Sequence, residues 1–451
     1  MDFLKEIKKN KEEFVKEICE LIKIPSVLEE NPHSKEAPFG KPIRESLDYM
    51  LNLGKKMGFK TKNIGNVSGH IECGEGSEII GVLCHVDVVP ADGMWKYSPF
   101  SATIEGDKIY GRGTQDDKGP AICSLYALKI IKDLGIKLNK RVRLIIGTDE
   151  ETNWRGINRY LEEEEMPSVG FSPDADFPLI YGEKGILTFD LVAKNPDHKL
   201  KKLVAGKRYN VVPDNAYAIY EDNLEEEYMN FLKTNQKKGI VENNKLEMFG
   251  KSAHAMIPEA GENAAIELCK FLSNITSNPL IKFINDKLQD TRCHGMNLAY
   301  TNEEMGDLTM NLGILEIDEN KSRLGLNFRY PICFDSENFM FEFTKQAAEY
   351  GLTLEMKKNT VPHFIDKNSK FIQILHQAYI AYTGDDKTPI KTIGGGTYAR
   401  AIKNAVAFGI MFPGEMELAH QEDEYISIEN AMVATAIIAK AIVDLGQLDE
   451  T

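Results

Sequence analysis

The chain has 451 residues, of which 42% are hydrophobic and 27% charged. This excludes a disordered, collagen-like or low-complexity protein and exceeds one compact domain of about 150 residues. Fifty-four Lys plus Arg against 69 Asp plus Glu leave a net charge of −15, a field that repels nucleic acid and anionic membranes and argues against either as partner.

From the N-terminus, Leu4, Ile7, Phe14, Ile18, Leu21 and Ile22 recur at helical steps, so residues 1–23 predict an amphipathic helix. The segment has neither the apolar core nor the cleavage site of a secretory signal, and no stretch approaches the roughly 18 apolar residues that span a bilayer. The seven cysteines (Cys19, Cys73, Cys84, Cys123, Cys269, Cys293 and Cys333) form no CxxC pair. A soluble protein of the reducing cytoplasm is expected, without a disulfide framework or a thiolate zinc site.

IIGVLCHVDVVP reads as a strand, AICSLYALKIIKDLG as a helix stopped by Gly135, and RVRLIIGT as a buried strand running into Asp149, Glu150 and Glu151. Strands alternating with helices predict an α/β domain on a mostly parallel sheet. After about Gly185 the texture shifts to shorter alternating segments, ILTFDLVA and RLGLNFRYP among them, which predict an inserted α+β domain. Its acidic run Glu225–Glu227, like Glu162–Glu165 before it, is expected to be a solvated helix face. A helix from Phe371, a glycine turn, the strand NAVAFGIMFP and a helix from Ile428 to Leu445 then resume the first texture. The expected division is residues 1–185 and 364–451 for the α/β domain and 186–363 for the insertion.

The chemistry-bearing residues gather at predicted strand ends and loops. His85 and Asp87, two apart, share one face of their strand. Asp116 and Asp117 lie in the turn GRGTQDDKG; Glu150 and Glu151 close a strand at the edge where open α/β sheets bind ligands; Asp174 follows in SPDADFP and His420 in ELAHQEDEY. Singly, each has a plainer reading as a surface histidine, a helix-start acid or a solubilising pair. Together, two histidines and several carboxylates of one domain are the donor set of a pair of divalent cations. In LGLNFR, alternation sets Asn327 and Arg329 opposite Leu324, Leu326 and Phe328, a polar face suited to a carboxylate or to a plain surface ion pair.

With CHVDVVP, IYGRGTQDDKGP, GTDEETNW, SPDADFPLIYGEKG, YNVVPDNA, GKSAHAMIPEAGENA, NFRYP, GGGTYAR and PGEMELAHQEDEYI in view, the chain resembles, over essentially its whole length, the co-catalytic zinc metallopeptidases. These include carboxypeptidase G, aminoacylase, acetylornithine deacetylase and the carnosinases, and the PepV-type bacterial dipeptidases are the nearest branch. The resemblance implies a di-zinc aminopeptidase-like catalytic domain with an inserted lid, and two divalent cations, zinc first with manganese or cobalt as alternatives. His85 and His420 match ligands of one metal each, Asp116 the bridging carboxylate, and Glu151 and Asp174 the remaining ligands. Glu150 matches the general base and Asp87 the acid behind His85. In the lid, His254 matches the histidine that reaches the scissile carbonyl, while Asn210 and Arg329 match substrate contacts, as do Gly395 and Gly396 of GGGTYAR.

The function so implied is hydrolysis of a dipeptide. The alternatives are an N-acyl-amino-acid deacylase of the same family and, in another class, a catalytically silent binding protein on the same fold. Asp174, where the deacylases more often carry glutamate, favours the dipeptidase branch. The loop between His85 and Asp116 is one residue shorter than the PepV pattern, and the lid of roughly 180 residues implies, by analogy, a monomer.

Overall fold

The computed structural model describes residues 2–447 and divides into two compact units. The first holds the described residues up to Tyr181, Ile365–Lys391 and those from Gly396 onward; the second holds Gly182–Phe364 and Thr392–Gly395.

In the first unit the sheet runs Lys60–Ile64, Ser68–Cys73, Arg141–Gly147, Ile79–His85, Val169–Ser172, Ala405–Ala407. The last four strands are mutually parallel and the first two antiparallel. All seven residues of Ile79–His85 are buried, as a strand covered on both faces requires. Helices Lys118–Asp133 and Ile428–Gly446 pack on each other and on this strand. Gly135 takes φ +65° two residues beyond the first of them, where a glycine stop was expected.

Three local readings need correction. The N-terminal segment is two helices, Phe3–Lys9 and Lys11–Ile22, because Asn10 caps the first, its N–H reaching Ile7 O. NAVAFGIMFP yields two short strands, Ala405–Ala407 and Ile410–Met411, separated at Gly409, whose φ is +85°. Within Glu162–Glu165, Glu164 is not solvated: its carboxylate pairs with Arg143 at 3.3 Å and with Lys62, and its side chain is only 7% exposed. Glu225–Glu227 are exposed in the first turn of helix Glu225–Thr234, where carboxylates suit the helix dipole.

The second unit is an eight-stranded antiparallel sheet in the order Lys238–Glu242, Lys245–Phe249, Asn215–Tyr220, Leu200–Ala205, Thr309–Ile317, Lys321–Tyr330, Gly185–Lys194, Thr353–Thr360. Alternate residues Leu187, Phe189 and Leu191 join a core shared with the helices Ala264–Leu272, Pro279–Lys287 and Ser336–Glu349. Phe189 stacks on Phe328 at 5.1 Å. Asp190, between the core positions, instead accepts hydrogen bonds from Tyr209 (2.8 Å) and Arg323 (2.8 Å). No helix among the described residues is long and apolar enough to cross a membrane, and every described cysteine is free.

Candidate metal centre

The three adjacent parallel strands Arg141–Gly147, Ile79–His85 and Val169–Ser172 end side by side, since His85 pairs with Gly147 and Val82 with Phe171. Their carboxyl edge therefore delivers His85, Glu150 and Glu151, and Asp174 to one place in the first unit. Asp116 arrives from the turn before helix Lys118–Asp133, and His420 from the segment before helix Ile428–Gly446.

Five of these six side chains, all but Glu150, form two groups that share one member. His85, Asp116 and Asp174 make the first, Asp116, Glu151 and His420 the second, with the donor atoms of each group within 4.8 Å of one another. Asp116 divides its oxygens: Oδ1 lies 2.9 Å from His85 Nε2, and Oδ2 lies 2.9 Å from His420 Nε2. Asp174 Oδ2 stands 3.5 Å from His85 Nε2, and Glu151 Oε1 2.8 Å from His420 Nε2. Asp117 belongs to neither group; its Oδ2 accepts the His85 backbone N–H at 2.8 Å.

Electrostatics follow from crowding acids around two imidazoles. Hydrogen bonds to Asp116 and Glu151 push the His420 pKa up to about 11. Burial first, and then the Asp116 charge, push Glu151 up to about 7. Glu150 lies outside both groups, and burial holds its carboxyl well above the usual range, with Asp174, Glu151 and Asp116 adding to the rise.

A divalent cation fits this donor set. His85 Nε2 and Asp116 Oδ1 are buried and only 2.9 Å apart, yet neither makes a hydrogen bond of acceptable geometry. The other ring nitrogen of His85, Nδ1, sits 3.0 Å from the backbone O of Asp87 and 3.4 Å from Asp87 Oδ1. With its Nδ1 proton held by that carbonyl, His85 would turn the Nε2 lone pair to a cation shared with the acids. Asp87 does more than face His85: its two carboxylate oxygens accept the backbone N–H groups of Glu150 (3.2 Å) and Glu151 (3.1 Å), fixing both glutamates to the histidine strand.

The remaining expected site residues divide between the units. Gly396 is in the first; Asn210, His254, Arg329 and Gly395 are in the second. There Ala255 N–H donates to Asn210 O at 2.9 Å, which sets Asn210 beside His254. Met256 N–H donates to His254 Nδ1 at 3.2 Å, so the neutral ring carries its proton on Nε2 as an outward donor. Loss of solvent around the ring and, second, the Arg329 charge push the His254 pKa down to about 4, so it is neutral at pH 7. Arg329 is buried rather than a surface ion pair: it donates to Asn327 Oδ1 at 2.9 Å and to Gly394 O at 2.9 Å. In GGGTYAR a Cβ at Gly394 would meet Met256 Cβ at 2.7 Å and one at Gly396 would meet Arg400 Nε at 2.9 Å, whereas at Gly395 it would meet nothing closer than 3.5 Å.

Sequence reasoning passed over two residues that shape these segments. Asn311 frames Asn210 by donating to the carbonyls of Tyr209 (2.8 Å) and Val211 (3.0 Å). Glu424 is fully buried against the Asp116 turn. In sequence Asn311 looks like any polar strand residue, and Glu424 like the last acid of a soluble EDE run; only burial separates them.

Comparison with known proteins places the chain. Residues 81–444 match Peptidase family M20/M25/M40. A Bacillus subtilis (strain 168) protein named "Putative dipeptidase YtjP" is 41% identical over 467 residues, covering 99% of this chain and 100% of that one. A Staphylococcus epidermidis protein named "Putative dipeptidase" is 41% identical over 452 residues, covering 95% and 96%. Human carnosine dipeptidase 1 shares the fold at a TM-score of 0.63, with 14% identity over 99% of this chain and 98% of that one.

Proposed function

Because the chain belongs to Peptidase family M20/M25/M40, we propose that it is a metal-dependent dipeptidase that hydrolyses the peptide bond of an unblocked dipeptide and releases two amino acids. The observation that carries this reading is Asp116, whose two carboxylate oxygens are shared at 2.9 Å each between two histidines, each with a second carboxylate of its own. His85, Asp174 and Asp116 would hold one divalent cation, and His420, Glu151 and Asp116 the other. When bound, such a pair supplies Lewis-acid chemistry, lowering the pKa of a water and polarising the scissile carbonyl.

The protein's own residues do the rest. Glu150, outside both groups, takes the proton of the attacking water and passes it to the leaving amine. Asp87 keeps Glu150 in place through the backbone bond at 3.2 Å. His254 offers its Nε2–H to the carbonyl oxygen as charge develops, a contribution typically worth about 2.7–4 kcal/mol. Arg329, with Asn210, Gly395 and Gly396, holds the substrate, Arg329 through its carboxylate.

A panel of dipeptides and their N-acetylated forms, assayed with zinc, manganese or cobalt, tests the reading. Cleavage of the free dipeptides with the acetylated forms left intact is expected. Turnover of the acetylated forms alone would make the protein a deacylase, and tight cation binding without turnover of either would make it a binding protein.

A further inference from the structure

Two buried side chains that no step above uses tie the segment carrying Asp116 to the segment carrying His420. Glu424 is fully buried. Its Oε1 accepts the backbone N–H groups of Gly113 (3.0 Å), Gln115 (2.8 Å) and Asp116 (3.4 Å), and the Thr114 hydroxyl lies 3.4 Å away. Its Oε2 takes the Arg112 guanidinium at 2.7 Å. Gln115, 5% exposed, reaches the other way. Its Oε1 accepts the Leu418 N–H at 2.8 Å, and its amide donates to the carbonyls of Met416 (3.2 Å) and Tyr425 (2.9 Å). One acid of the His420 segment thus folds the Asp116 turn around itself, and one amide of that turn grips both ends of the His420 segment.

The His420 segment needs such support, since His420 and Asp423 sit at φ +65° and +59°, conformations that side-chain-bearing residues seldom hold unaided. His85 and Asp174, in contrast, stand at or just beyond the ends of paired strands and need no such tie.

We propose that Glu424 and Gln115 are positioning residues that lock these two segments in register, so that the Asp116 carboxylate and the His420 imidazole meet the same cation. The proposal rests on the two-cation reading above. For the Gln115 half it implies an asymmetry: freeing the His420 segment disturbs the cation of His420 and Glu151 and leaves that of His85 and Asp174 nearly intact.

Titration of Zn²⁺ alone into metal-free protein tests it, comparing wild type with Gln115→Ala, Glu424→Gln and His420→Ala and recording thermal unfolding of each metal-free protein in parallel. Wild type should bind two Zn²⁺, and His420→Ala marks which binding step belongs to its side. Gln115→Ala should weaken that same step 10- to 100-fold, the usual cost of removing a residue that orients a ligand, and the other step by less than about threefold, with the unfolding midpoint lowered by only a few degrees for its lost hydrogen bonds. Glu424→Gln keeps an oxygen for the three N–H groups but faces Arg112 without charge; if it fails to fold, Gln115→Ala alone decides. Wild type binding fewer than two Zn²⁺ overturns the two-cation reading itself. Two-step binding in wild type with both steps unchanged in folded Gln115→Ala, or with both steps and the midpoint falling together, overturns the latch.

Discussion

Glu150 and Glu151 are neighbours in sequence with different surroundings. Glu151 lies 2.8 Å from His420 Nε2, while Glu150 stands outside both donor groups. If the first is a ligand and the second a base, their removal has separable effects. Glu150→Gln should keep both cations and lower kcat by about 10²–10⁴-fold, as metal analysis and kinetics on one protein sample would show; loss of a cation from Glu150→Gln but not from Glu151→Gln would mean the pair is assigned in reverse. Asp116→Asn should weaken both binding steps at once, since its two oxygens serve the two histidines; a Zn²⁺ titration in which one step survives at wild-type affinity would deny it a shared role. At this scale the donor types were legible, because histidines and acids at strand ends announce themselves. The buried Glu424 was not, since a one-letter string does not distinguish an acid facing water from one wrapped in backbone N–H groups.

Among the elements, the strand Ile79–His85 was readable because full burial demands an unbroken apolar run, and helix Lys118–Asp133 because its apolar spacing and its glycine stop agree. Short strands such as Ala405–Ala407 and Ile410–Met411 were not separable, since two or three residues carry no period. The strand next to the edge of the same sheet holds a titratable group that composition hides. On strand Ser68–Cys73, His70 is 5% exposed and its Nδ1 lies 3.0 Å from the Tyr160 hydroxyl, which Arg143 approaches at 3.5 Å. Burial first and the Arg143 charge second push its pKa down to about 4. The unfolded chain then binds a proton below about pH 6.5 that the folded chain refuses until about pH 4. The stabilisation is therefore complete above pH 6.5 and is lost as the pH falls through this window, by up to roughly 3 kcal/mol for a fully buried ring. His70→Phe, which retains an aromatic ring against Tyr160, should flatten the difference between urea unfolding at pH 7.5 and pH 4.5 relative to wild type. Equal pH dependence in both proteins would mean that His70 takes up its proton in the folded state as easily as in the unfolded one.

At the scale of the whole molecule, the change of texture near Gly185 announced a second fold, because an antiparallel sheet with a polar face writes shorter, alternating segments than a parallel sheet covered on both sides. What the pattern could not show is that Thr392–Gly395, deep in the C-terminal stretch, packs with the second unit, where Gly394 O takes the Arg329 guanidinium at 2.9 Å. All residues assigned to the cations belong to the first unit, and His254, Asn210 and Arg329 to the second. Replacing second-unit residues should therefore leave Zn²⁺ affinity at its wild-type value while changing kinetics in two distinct ways. If His254 gives its Nε2–H to the carbonyl oxygen as proposed, His254→Ala removes a donor whose partner charge is complete only in the transition state, so it should lower kcat about 10²–10³-fold with little change in KM. If Arg329 takes the substrate carboxylate as proposed, Arg329→Ala removes a partner of a charge the substrate already carries, so it should chiefly raise KM. Because Arg329 also holds Gly394 O, Arg329→Lys separates the two tasks: a single ammonium can meet one carboxylate oxygen but lacks the planar fork, so only a partial recovery of KM is expected. Steady-state kinetics on a good dipeptide substrate decide it, and near-wild-type kcat/KM in both alanine variants would remove the second unit from the reaction.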